Sequence, residues 1–272
     1  MTKISATVVA HNEEKKIEDC LRSLDFVDEI VVVLDKCSDG TKEIVKKYTN
    51  KIIEGSWNIE GARRNVSLDN CSGDWIVEID ADERISEELA VEIKATIAQI
   101  EREKLDIEML TVPIHNHVGS RLVKYGWLRI LAPTHRQITK KGVKKYHEDK
   151  RIHPTADFKE EVKTKALTQY LIHLMDDDIF DMIARFNRFT NWMALDMVTK
   201  GKVKRDVENA GMIGFCKEIV KFKMRFIKSF FFKKGYKEGA LGFVIAILAG
   251  LYPIVCKLKA KEIIKNKYNE NS

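Results

Sequence analysis

The first hundred residues alternate short β-branched runs with segments of helical spacing, and that alternation narrows the fold more than any other feature of the chain. "ISATVVA", "EIVVVL", "KIIEG" and "DWIVEIDAD" read as strands. Between them lie "EEKKIEDCLRSL", with Ile17, Cys20, Leu21 and Leu24 at helical spacing, then "GTKEIVKKY" and "GARRNVSLDNC", which read as helices. Strands alternating with helices imply βαβ units, hence an α/β protein with a mainly parallel central sheet. Open sheets of this kind bind ligands beyond the carboxyl ends of their strands. The chain puts its polar residues at those ends: His11, Asn12 and Glu13 after the first strand, Asp35 to Asp39 after the second, and Asp80 to Glu83 after the last.

Asp80 and Asp82 stand one residue apart where an apolar run stops. Strand geometry puts both side chains on one face. Two carboxylates so placed repel unless solvent, a proton or a cation separates them. They fit a D-x-D site in which a divalent ion bridges carboxylate and diphosphate; solvated turn formers are the alternative. Asp35 is suited to accept hydrogen bonds from a nucleotide base or ribose, whereas Asp39-Gly40-Thr41 reads as a turn that opens a helix. Asn12 and Glu13 fit either nucleotide contact or helix capping.

Beyond residue 86 the pattern changes. Ser86 to Glu103 reads as a Ser-capped amphipathic helix with Leu89, Ile93, Ile97 and Ile100 on one face. "IEMLTVPIHNHV" and "WLRILAP" are strand-like, and "HRQITKKGVKKYHEDKRIHPTADF" reads as a polar connection, so a mixed region is expected against the parallel sheet. From Asp176 the chain is helical, with an acidic start that suits the helix dipole. Met212, Phe215, Ile219, Phe222, Phe226 and Phe230 form an apolar stripe on a basic helix. Ala240 to Cys256 are 17 uncharged residues, just short of the roughly 20 that span a bilayer. Charge divides the same way: residues 200–272 carry 17 Lys and Arg against 6 Asp and Glu, and residues 1–199 carry 30 against 35. A basic, amphipathic tail on an acidic body points to a membrane surface; nucleic acid is not expected, because no reader motif accompanies the charge. Five scattered cysteines without a CxxC pair argue against zinc and a disulfide framework, and the opening apolar run is too short for a signal peptide. A cytoplasmic location follows as the expectation.

Taken together, these blocks resemble the family 2 glycosyltransferases, inverting sugar-nucleotide enzymes of the GT-A fold. "ISATVVAHNEEKKIEDCLRSL", "VDEIVVVLDKCSDGTKEIV" and "GARRNVSLDNCSGDWIVEIDADERIS" are similar to that family's blocks in order and spacing. "HED" after a basic loop, "LIHLMDDDIFDMIARFNRFTNWMALDMVTKGK" and "KKGYKEGALGFVIAILAGLY" are similar to the lipopolysaccharide core glucosyltransferase subgroup, whose members act at the inner face of the cytoplasmic membrane. The resemblance implies a GT-A domain over residues 1–175, with a nucleotide-sugar half (1–110) and an acceptor half (111–175), and a helical, peripheral membrane appendage over 176–272. It implies transfer of a hexose, glucose by the subgroup, from a UDP-sugar to a lipid-linked or lipopolysaccharide-core saccharide. Asn12 and Glu13 would lie beside the nucleotide, Asp35 at the base, Arg63 and Asn65 near the diphosphate, Asp80 at the ribose or metal, and Asp82 on Mg or Mn. Glu148 would be the base that takes the acceptor proton, with Asp149 as substitute, both kept ionised by Lys144, Lys145, Lys150 and Arg151. Many relatives carry a second Asp where Leu34 stands and a Gly where Lys36 stands.

Two other classes compete. A sugar nucleotidyltransferase shares the sheet and the metal but has a Gly-rich loop after the first strand, where this chain has "AHNEEKK". A catalytically dead membrane scaffold would have no need of Asp80, Asp82 and a base. "HNH" at 115–117 lacks the surroundings of a nuclease site; His173 reads as a hydrogen-bonded core histidine or as part of an acceptor pocket. Trp127, Arg129 and Arg136 are expected to border the cleft, where arginine clamps anions.

Overall fold

The computed structural model of the chain describes residues 2–129, 131–149, 154–201 and 211–269, and the side chains of all of these but 131–136, 211–216 and 267–269. Two compact units emerge, one of residues Met1–His115 with Leu131–Leu174, the other of Asn116–Ile130 with Met175–Ser272.

In the first unit the expected alternation is present: β1 (Ile4–Ala10), α1 (Ile17–Arg22), β2 (Glu29–Asp35), α2 (Thr41–Val45), β3 (Ile52–Gly55), α3 (Glu60–Asp69) and β4 (Trp75–Asp80). β1 pairs in parallel with β2 and β4, and β2 with β3, so the parallel part runs in the order β3-β2-β1-β4. β1 and β4 are buried almost throughout. That is why they read as unbroken apolar runs and not as alternating ones. β5 (Glu83–Ile85) and α4 (Glu87–Arg102) follow; the Ser86 hydroxyl accepts from the Leu89 N–H, and Leu89, Ile93, Ile97 and Ile100 are buried.

β6 (Met109–Val118), β7 (Arg121–Leu122), β8 (Leu131–Lys140), β9 (Lys144–Tyr146), β10 (Ala156–Phe158), β11 (Thr164–Ala166) and β12 (Leu171–Asp176) complete the strands. β8 joins β4 antiparallel, β6 joins β8 antiparallel, and the sheet continues through β12 to β5. The polar connection expected after residue 134 is therefore largely strand. Ile138 and Val143 are buried, and Trp75–Lys140 and Val77–Ile138 pair across β4 and β8. Lysines on the open face hid the alternation. The strand expected over "WLRILAP" starts only at Leu131.

In the second unit α5 (Ile179–Thr199) is capped by the Asp178 side chain, which accepts from the Asp181 N–H. α6 (Gly211–Ile227) runs into a π turn over Lys228–Phe232, then a 3-10 turn over Gly235–Glu238 and α7 (Gly239–Asn269). α7 packs on α5 and α6. A Cβ on Gly242 would collide with the Gly235 carbonyl oxygen, so this close approach needs glycine. Residues 116–130, which the sequence places in the acceptor half, group instead with these helices. Buried Glu238 gathers them: its carboxylate accepts from Arg121 Nη2 at 2.7 Å and from the N–H groups of Lys124 and Tyr125 at 2.8 and 3.1 Å.

Candidate active site

The carboxyl ends of β1, β2 and β4 lie side by side because those strands are neighbours in register. After β1 the chain turns sharply at Asn12, which has φ 56°, and its side-chain oxygen accepts from the Ser38 N–H at 2.8 Å, pinning the loop after β2. The Glu13 N–H donates to Thr41 Oγ1 at 2.8 Å, and its carbonyl starts α1. Lys36 holds φ 54°, a conformation that most side chains avoid. Its ammonium donates to the Trp57 carbonyl and Asn58 Oδ1 at 3.2 and 3.1 Å, which offsets that strain locally.

Asp35 ends β2 and is buried. Its Oδ1 accepts from the Trp57 N–H at 3.0 Å and its Oδ2 from Arg63 Nη1 at 2.8 Å. Asp39 accepts from the Thr41 hydroxyl and N–H and from the Glu14 N–H. Burial opposes ionisation of Asp39, but those hydrogen bonds prevail and lower its pKa. Asp39 thus has the structural part of a turn former.

Two adjacent arginines of α3 divide between two strand ends. Arg63 reaches Asp35, while Arg64, half-wrapped by Tyr146 and bonded to Glu60, places Nη2 3.1 Å from Asp80 Oδ1. Arg64 was not singled out from sequence. Helical phase decides which of two neighbouring arginines faces β4, and that phase comes from the packing of α3. Asn65 ties α3 to the 146–148 segment: Nδ2 donates to the Tyr146 carbonyl at 2.9 Å and to Glu148 Oε1 at 3.0 Å, and Oδ1 accepts from the Tyr146 N–H at 2.8 Å. Gly61 permits this contact, since a Cβ there would collide with the His147 carbonyl oxygen. Glu148 and Asp149 are exposed beside it. Lys144 donates to buried Glu78 at 2.8 Å; Lys150 and Arg151 lie outside the described residues.

β12 supplies what the sequence left undecided about His173. The register of β12 on β5 pairs His173 with Glu83 and brings its Nε2 to 3.3 Å from Asp82 Oδ2. The ring is partly exposed, at 23%, and so is Asp82, at 31%. Burial together with Asp82 pushes the Glu13 carboxyl up to about 7, with Asp39 and Asp80 adding and Lys16 opposing. Glu13 thus feels the carboxylates of Asp39, Asp80 and Asp82 gathered at the same end of the sheet. Among the described residues no three ligating side chains surround a single point. The donor set of Asp80, Asp82 and adjacent His173 nonetheless fits a hard divalent ion that draws its other ligands from phosphate and water. His115, in contrast, stacks on Tyr170 with ring centroids 3.6 Å apart. Trp127 and Arg129 belong to the second unit, and the Arg136 side chain lies outside the described residues.

An uncharacterized glycosyltransferase of Rickettsia bellii is 24% identical over 273 residues, covering 96% of this chain and 87% of its own length. The lipopolysaccharide core biosynthesis glycosyltransferase LpsC of Rhizobium meliloti is 24% identical over 268 residues, with 94% and 91% covered. The crystal structure of S. aureus TarS 1-349 in complex with UDP-GlcNAc superposes with a TM-score of 0.49 at 18% identity, over 99% of this chain and 92% of that one. The model of Glycosyl transferase family 2 matches residues 5–159, more than half of the chain, and the chain belongs to that family and has its GT-A fold.

Proposed function

We propose that this glycosyltransferase moves a hexose, with inversion, from a UDP-sugar to a saccharide held at the cytoplasmic face of a membrane, as in lipopolysaccharide core assembly. The observation that carries this reading is the convergence at one sheet end of Asp35 with Arg63, Asp80 with Arg64, and Asp82 with His173. Asp35 keeps lone pairs for a base N–H after serving Trp57 and Arg63, since a carboxylate offers about four acceptor sites. Asn12 and Glu13 close the same end from β1. Asp80 and Asp82 would hold Mg or Mn, which supplies charge neutralisation for the departing diphosphate. Arg64, already on Asp80, places a second cation beside that leaving group.

Inversion requires the acceptor hydroxyl to attack the anomeric carbon from the side opposite the diphosphate and to give up its proton as it does so. Glu148 takes that proton. Asn65 fixes its Oε1, leaving Oε2 for the acceptor, and Asp149 is the neighbouring carboxylate. The LpsC relative, named for lipopolysaccharide core biosynthesis, supports an anionic saccharide acceptor. The basic C-terminal helices support a peripheral membrane location.

Calorimetry with UDP, GDP, ADP and CMP, with and without Mn, tests the donor site. UDP should bind in a Mn-dependent way, and Asp82→Ala should lose that binding while keeping its thermal unfolding transition. Mn-independent binding, or full activity in Asp82→Ala, would remove Asp82 from the site.

A further inference from the structure

The apolar stripe that made α6 look membrane-facing is turned inward. Phe226 and Phe230 meet Phe243 of α7 edge-on at 5.7 and 5.8 Å, and a Cβ on Gly250 would strike Phe222. The outer face carries a second stripe. Val220, Met224, Ile227 and Phe231 are 54, 62, 42 and 57% exposed, and Phe232 beyond them is 79% exposed. Their spacing of four, three and four residues aligns them along one side of the helix and its π turn.

Cations border this stripe in the sequence. Between Glu218 and Glu238 the chain has seven Lys and Arg and no Asp or Glu. Glu218 is bound to Lys221 and Lys257, and Glu238 to Arg121. Trp127 lies between Arg225 and Lys233, whose charged groups stand 5.6 and 4.1 Å from its ring; Lys237 stands 5.2 Å from the Tyr125 ring. Burial first, with Arg129 and Lys228 adding, lowers the Lys233 pKa. Aromatic rings with cations above a continuous apolar stripe match the boundary between acyl chains and anionic headgroups. α7, next in sequence, carries an apolar stretch of which only 33% is buried.

We propose that α6 and the turn after it dock on an anionic lipid surface, with Val220, Met224, Ile227, Phe231 and Phe232 at the acyl boundary and Lys228, Lys233, Lys234 and Lys237 on lipid phosphates. The proposal rests on the membrane-held acceptor of the preceding reading and names the surface that reaches it.

Co-sedimentation of the full chain with phosphatidylcholine vesicles, with and without phosphatidylglycerol, is the test. Binding should require phosphatidylglycerol and weaken with salt. The triple variant Lys228→Gln, Lys234→Gln, Lys237→Gln changes exposed side chains only. It should weaken partitioning by roughly 100-fold, at about fivefold per cation. Met224→Ser with Phe232→Ser should weaken it independently. Equal binding to neutral vesicles, or a triple variant within a factor of about three of the parent, would overturn the proposal. So would saturable binding of inorganic phosphate without vesicle binding, which would assign the cations to a soluble anion. Nucleotide calorimetry on the same samples separates the two readings: lost UDP binding with intact vesicle docking would sink the donor site alone.

Discussion

Asn65→Ala distinguishes two placements of one residue. If Asn65 acts as the structure places it, the variant strips the Tyr146 N–H and carbonyl and Glu148 Oε1 of their side-chain partner. Leaving a buried polar group unpaired costs about 1–3 kcal/mol. Tyr146 is only partly buried, so the two backbone groups together should cost about 2 kcal/mol, a fall in Tm of roughly 5 °C for a chain of this size. Release of Glu148 matters more for turnover. A misplacement of about 1 Å in a reacting group can cost about 100-fold, so kcat should fall by about that factor while UDP affinity stays unchanged. Thermal unfolding, UDP calorimetry and single-turnover transfer measure the three quantities separately. A variant that loses UDP affinity and keeps kcat would put Asn65 on the diphosphate, as the family resemblance implies. One that loses stability alone, with kcat unchanged, would refute the assignment of Glu148 as the base.

Glu148→Gln keeps the bond from Asn65 but cannot accept a proton; transfer should drop by about 10²–10⁴-fold with UDP binding intact, and full transfer would move the role to Asp149. Gly61→Ala forces a methyl against the His147 carbonyl, so thermal unfolding should show a loss of several degrees, and an unchanged Tm would mean that α3 and the 147 segment are not in contact. Glu29 governs acid stability. Burial opposes its charge, yet Lys51, Ser5 and Ser72 hold its pKa down at about 2 against an ordinary 4.5. Because the ionised form is favoured by folding, its contribution is complete above about pH 4.5 and disappears as pH falls towards about 2. Stability measured by urea unfolding should therefore vary less with pH across this window in Glu29→Gln than in the parent. Equal slopes would show that Glu29 is not held ionised by folding.

The parallel half of the fold was legible because its signals are local. A strand buried on both faces is mostly apolar, and β1, β2 and β4 are, with Ser5, Thr7 and Glu78 as buried polar exceptions. Polar residues follow such strands, so the position of Asn12, Asp35, Asp80 and Asp82 at or just beyond the strand ends could be read without coordinates. The antiparallel strands were harder to see. β9 places Lys144 and Lys145 within a three-residue strand, and β5 and β12 are too short for any period to show.

Which side chains meet belonged to the tertiary structure alone. Pairing of β12 with β5 delivers His173 to Asp82 across about a third of the chain, and the roll of α3 decides that Arg64 reaches Asp80, Arg63 reaches Asp35 and Asn65 reaches Glu148. Burial of the Phe226–Phe230 stripe against α7 likewise inverted the face that α6 presents outward. Period and composition determine that a helix is amphipathic or that a strand ends in carboxylates. Contacts between segments distant in sequence depend on register and helical phase, which are set by packing against elements that the local sequence does not encode.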